Sequence, residues 1–136
     1  MAKYSAYGTA FKRGAVTVVQ VSNIDGPEIS LDTEDVTTHD STDAYEEFVA
    51  TIIRTGNVSL DLVWDPNAAT HAAAAGGLLN DLTARTLVEY SVVFPTTPAA
   101  TATFDALVTQ FKPGANTTGA LVASVTLKVS GAIAWT

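Results

Sequence analysis

Residues 57–65, NVSLDLVWD, decide the fold class. Val58, Leu60, Leu62 and Trp64 alternate with Ser59 and Asp61. A period of two sends successive side chains to opposite faces of an extended chain, so this stretch reads as a strand with one apolar face. Trp64, on that face, is expected to be buried. Working outward, the same period recurs in 86–94 (TLVEYSVVF), where Val88, Tyr90, Val92 and Phe94 face away from Leu87, Glu89 and Ser91. It recurs again in 120–135, where Leu121, Ala123, Val125, Leu127 and Val129 oppose Ser124, Thr126, Lys128 and Ser130. Residues 101–111 form a further strand that ends at the turn Pro113–Asn116.

On the other side, 15–24 (AVTVVQVSNI) is rich in β-branched residues and reads as one strand, closed by the Asp25-Gly26-Pro27 turn. Residues 28–37 alternate Ile29, Leu31 and Thr33 against Ser30, Asp32 and Glu34, the pattern of a half-buried strand. A polar inter-strand loop, 38–53, follows. It is too long for a tight turn and has Tyr45 and Phe48 embedded in it. After Trp64, Asp65-Pro66-Asn67 offers a cap and a first-turn proline. The alanine-rich run behind it predicts one amphipathic helix over 67–84, with Ala72, Ala75, Leu79 and Leu82 on a face and Gly76-Gly77 interrupting it. Six strands joined by antiparallel connections and one helix make a mostly β single domain, an antiparallel sandwich or barrel flanked by the helix.

Composition narrows the function. The 136 residues suffice for one sizeable core. Only 15% are charged, against about 25% in an average soluble protein, which points to a surface partly covered by other subunits. Without cysteine there are no disulfides or thiolate metal sites. No run is long and apolar enough for a membrane span, and Met1–Gly14, with Lys3, Lys12 and Arg13, lacks the apolar core of a signal peptide. The glycosylation patterns at Asn57 and Asn116 are therefore expected to be chance. A net charge of −7 disfavours ordinary DNA binding. Nine acids fall between Asp25 and Glu47 with no Lys or Arg among them. That segment is either a solvated strand face and loop, or a surface that repels an anion or docks a cation.

Chemistry-bearing patterns are missing. His39 and His71 stand alone, outside any metal-ligand spacing. No nucleophile elbow, P-loop or dinucleotide fingerprint occurs. The acids of 32–43 lack the order of a calcium loop, and acids along one strand face do not make the opposed pair of a glycosidase. The expectation is a non-enzymatic protein that needs no cofactor.

The order of these elements carries a resemblance. Residues 28–66, EISLDTEDVTTHDSTDAYEEFVATIIRTGNVSLDLVWDP, followed by the single helix, Phe94-Pro95 and the closing VTLKVSG with Lys128 and Gly131, resemble the major tail tube proteins of long, non-contractile bacteriophage tails. The similarity runs from about Val16 to Trp135. Contractile-tail tubes and secretion-system tube proteins share that fold. Two features depart from the pattern: residues 1–14 make a short N-terminal arm, and no immunoglobulin-like domain follows Trp135.

The resemblance implies homohexameric rings that stack into a hollow tube, located in the virion tail and made in the host bacterial cytoplasm. The partners it implies are the protein itself and the tape measure, tail terminator and tail tip proteins. DNA would pass through without specific binding, and no membrane is involved. The resemblance also places Asp40, Asp43, Tyr45, Glu46 and Phe48, in the long loop, at contacts between subunits. It places Ser30, Asp32, Glu34, Ser59, Asp61, Asp105, Thr126 and Lys128 on the lumen wall, where a net-negative surface would keep DNA from adhering. Two other readings stay open: another phage structural protein (a capsid decoration or tail-completion ring), and a carbohydrate-binding β-sandwich.

Overall fold

The apolar alternation of 57–63 finds its complement in the C-terminal strand. A computed structural model, describing residues 1–136, pairs β6 (Asn57–Val63) antiparallel with β9 (Val122–Trp135). Val58 lies opposite Leu127, Leu60 opposite Val125, and Leu62 opposite Ala123. All six are buried. Each valine or leucine among them contributes about 1.5–3 kcal/mol by leaving water.

The remaining elements extend this pair in both directions. β1 (Ala10–Arg13), β2 (Val16–Thr17), β3 (Val21–Asp25), β7 (Val88–Phe94) and β8 (Ala100–Gly114) join β6 and β9 in one antiparallel sheet of order β2-β1-β7-β8-β9-β6-β3. The seven-stranded sheet curls into a half-barrel around Phe11, Tyr90, Val92, Phe104 and the β6–β9 residues. One helix, α1 (Leu78–Thr83), sits against this concave side through Leu78. A separate two-stranded sheet, β4 (Ile29–Asp35) with β5 (Phe48–Thr55), stands apart as a hairpin inserted between β3 and β6. The mostly β architecture flanked by one helix is as the sequence predicts.

Several expectations need correction. The helix is far shorter than 67–84, because residues 65–77 fold into successive turns. A Cβ on Gly77 would lie 1.9 Å from the Ala72 carbonyl oxygen. The chain doubles back on itself there, which a continuous helix could not do. Of the expected helix face, Ala75 is exposed, and the buried helical residues are Leu78 and Asp81. The predicted strand 15–24 is split into β2 and β3 by a turn at Gln20, whose φ of 59° lies in the left-handed region. Strand pairing resumes at Phe48, so the long connection covers Val36–Glu47 and the last part of 38–53 belongs to β5. Within residues 1–14, β1 is a strand of the main sheet and buries Phe11. β8 continues through Pro113 to Gly114, into the predicted turn. Trp64 is half-buried, packed edge-on against Phe111 with ring centroids 5.6 Å apart. The half-buried strand expected at 28–37 is exposed along nearly its whole length, because its neighbour β5 is its sole support.

Candidate functional site

The hairpin is built by cross-strand pairing alone. Ile29 pairs with Thr55 and Leu31 with Ile53; past a bulge, Thr33 pairs with Ala50 and Asp35 with Phe48. These residues share one face. Leu31, Phe48 and Ile53 are each more than half exposed there (54%, 54% and 67%), an apolar stripe, interrupted by Thr33 and Asp35, without a cover in the subunit. The opposite face carries Ser30, Asp32 and Glu34, with Arg54 opposite Ser30 and ion-paired to Asp32. The hairpin is tied to the body at its base, where Val129 N–H donates to the Gly56 carbonyl at 3.2 Å and Gly56 N–H to the Glu28 carbonyl at 2.9 Å.

Its tip gathers the loop residues singled out from the sequence. Asp40, Asp43, Tyr45 and Glu46 are all exposed, and Tyr45 is 73% so. Phe48 is separate from them, in strand β5 on the apolar stripe. Asp43 and Ala44 both take left-handed backbone angles. The Asp35 carboxyl is held below its usual range by the hydroxyl and amide of Thr37, whose N–H lies 2.8 Å from Oδ1. Between Ile29 and Thr55 lie seven carboxylates (Asp32, Glu34, Asp35, Asp40, Asp43, Glu46, Glu47) against Arg54 alone. The hairpin thus carries −6 of the chain's −7.

The other named residues lie on the convex side of the main sheet. Ser59, Thr126 and Gln110 form one cross-strand row, and Asp61, Ser124 and Lys112 the next. Asn57, Lys128 and Leu107 form a third. Ser124 donates to Asp61 Oδ1 at 3.1 Å, so the row is hydrogen-bonded side to side. Asp105 lies further along, opposite Glu89 and Ser130. The eight lumen candidates are therefore divided: Ser59, Asp61, Asp105, Thr126 and Lys128 on the curled sheet, and Ser30, Asp32 and Glu34 on the hairpin. The curled sheet is nearly balanced, with Asp25, Asp61, Glu89 and Asp105 against Lys12, Lys112 and Lys128. The negative charge expected of one wall is concentrated on the hairpin instead.

Sequence reasoning passed over Ile53 and Lys112. Both were legible in principle, since the run FVATIIRT is too apolar for a solvated loop and β8 alternates through Lys112. Titratable groups meet elsewhere in one buried cluster. Arg13 Nε and a terminal guanidinium nitrogen donate to the two Asp81 carboxylate oxygens at 2.8 and 2.9 Å, and Tyr90 Oη donates to Oδ2 at 2.6 Å. Burial, then the bond to Asp81, holds the Tyr90 phenol well above its usual range, and the same carboxylate raises Arg13. Both oxygens of the Asp81 carboxylate are engaged, so the cluster fixes α1 to β1 and β7.

The family model of the lambda phage tail tube protein matches residues 4–136. The chain belongs to this family. It is a structural protein of the phage tail tube, part of the virion. The tail tube fold recurs in solved structures of low identity. A chain from the virion of a native gene transfer agent particle superposes with a TM-score of 0.80 at 14% identity, over 98% of this chain and 99% of that one. A chain from the sheath/tube terminator of an extracellular contractile injection system gives 0.76 at 13%, covering 100% and 98%. Hcp1 from the E. coli EAEC 042 pathovar gives 0.52 at 12%, covering 94% and 88%. No curated protein matches the sequence. No helix of this tail tube protein is long and apolar enough to cross a membrane.

Proposed function

We propose that this tail tube protein closes into homohexameric rings that stack into a hollow tube, and that DNA leaves the capsid through it without specific binding or enzymatic processing. The observation that carries the reading is the hairpin. It contributes nothing to the subunit core, yet it exposes an apolar stripe that a monomer has no use for. Docking on a neighbour would cover Leu31, Phe48 and Ile53, with Asp40, Asp43, Tyr45 and Glu46 at the rim of the contact. The convex sheet is assigned to the lumen, with Ser59, Asp61, Asp105, Thr126 and Lys128 facing the passing DNA and Ser30, Asp32 and Glu34 extending that wall. Sixfold closure is supported by a structural neighbour, 15% identical with a TM-score of 0.76, that comes from a gene transfer agent tail of C6 symmetry. Residues 1–136 act as one tail-tube unit, with residues 1–9 as an arm beside β7. Tape measure, terminator and tip proteins complete the tail.

Negative-stain microscopy of purified protein at rising concentration tests the reading. Stacked rings or long tubes are expected. Sedimentation that shows only monomer at high concentration would overturn it, and isolated rings that never stack would favour a tail-completion role.

A further inference from the structure

Val19 lies in the turn between β2 and β3, and both of its backbone polar groups are taken by side chains. Its N–H donates to Thr70 Oγ1 at 3.3 Å, and its carbonyl accepts from His71 Nε2 at 2.6 Å. The other ring nitrogen of His71, Nδ1, accepts the Asp65 N–H at 3.2 Å. An amide only donates, so Nδ1 carries no proton, Nε2 carries one, and the ring is neutral. Leu78 N–H donates to the Thr70 carbonyl at 3.0 Å, which continues the connection into α1. Thr70 and His71 thus pin the folded-back segment 65–77 to the edge of the sheet.

We propose that His71 is an acid-sensitive latch for this segment. A second proton on the ring would set N–H against N–H at Asp65, inside a site where His71 has no exposed surface, and a buried unmatched donor is costly. No carboxylate oxygen is hydrogen-bonded to the ring. The Asp65 carboxylate accepts Asn67 N–H at 2.9 Å. From α1, β1 and β7, Asp81, Arg13 and Tyr90 are engaged with one another, and from β6 the Asp61 carboxylate is held by Ser124 on the convex face. A solvated imidazole takes up a second ring proton at about pH 6.5, and lifting the segment solvates the ring. The open state therefore binds more protons than the closed one, so the latch holds above that range and weakens as pH falls through it.

Amide hydrogen exchange of the free subunit at pH 7.5 and pH 5.0, corrected for intrinsic rates, tests the latch. Protection at Val19, Asp65 and Leu78 is expected to fall roughly tenfold or more at pH 5.0, while amides of β7–β9 keep theirs. In His71→Gln, which cannot titrate, the same amides are expected to show no such pH response. Unchanged wild-type protection, or the same response in His71→Gln, would overturn the proposal. Imidazole nitrogen spectra of the wild type give a second reading that needs no variant. The hydrogen bonds from Asp65 N–H and to the Val19 carbonyl make the Nε2–H tautomer the expected one at pH 7.5, and finding the Nδ1–H tautomer there would equally refute the latch. These measurements use the unassembled subunit, so their failure leaves the tube reading intact.

Discussion

Asp81 is a carboxylate with almost no exposed surface, a placement that is costly unless its oxygens are engaged. Arg13 and Tyr90 engage them both, and this explains why a charged side chain takes a core position in a short helix. Tyr90→Phe removes one hydrogen bond to a charged acceptor and is expected to cost about 1.5–3 kcal/mol in chemical denaturation. The pH signature follows from the raised phenol. The fold holds the Tyr90 proton more tightly than the unfolded chain does. That contribution is complete below about pH 10, where an unfolded tyrosine ionises, and is lost as pH rises beyond it. Thermal midpoints measured from pH 8 to 11 are expected to fall more steeply for the wild type than for Tyr90→Phe; parallel curves would contradict the assignment. None of this was legible in the sequence. Nothing in the spacing of Arg13, Asp81 and Tyr90 brings them together, because β1 and β7 meet only through sheet pairing.

The alternation of β6, β7 and β9 was legible because each of these strands packs one face on the core, and burial enforces the period. The helix was overread for the converse reason. Alanine propensity is a weak prior, and the polar anchors Thr70 and His71 together with the close approach of Gly77 to Ala72 override it. For the hairpin, the alternation of β4 was legible, but it reads as a half-buried strand where the fold leaves an exposed one. A lone two-stranded ribbon is marginally stable, so its apolar residues are legible as a surface only once the rest of the sheet is seen to close without it. Replacing Leu31 and Ile53 together by aspartate breaks the stripe, leaving only Phe48 of its three large residues, without touching a buried residue. The double variant is expected to fold with a denaturation midpoint close to the wild type's, since exposed substitutions usually stay within about 0.5 kcal/mol each. In microscopy it should form neither rings nor tubes. Normal tubes from this variant would show that the stripe is not the docking face.

At the scale of the whole molecule, charge is unevenly divided, with −6 on the hairpin and −1 on everything else. If the convex sheet lines a lumen, its near balance makes it wettable and only weakly repulsive, and changing a few residues changes its sign. Asp61→Lys with Asp105→Lys is expected to leave tube assembly intact and to slow DNA ejection from particles, measured as dye-labelled DNA release over time; unchanged release would separate that face from the DNA path. The hairpin has a consequence of another kind. Its flanking residues, Glu28 and Gly56, are already hydrogen-bonded to each other across its base, and nothing between them serves the core. Residues 29–55 therefore form a contiguous cassette on a closed frame. One recombination event at those two points could exchange both the adhesive stripe and most of the net charge, so a lineage could change what its tail assembles with while folding remains under separate selection.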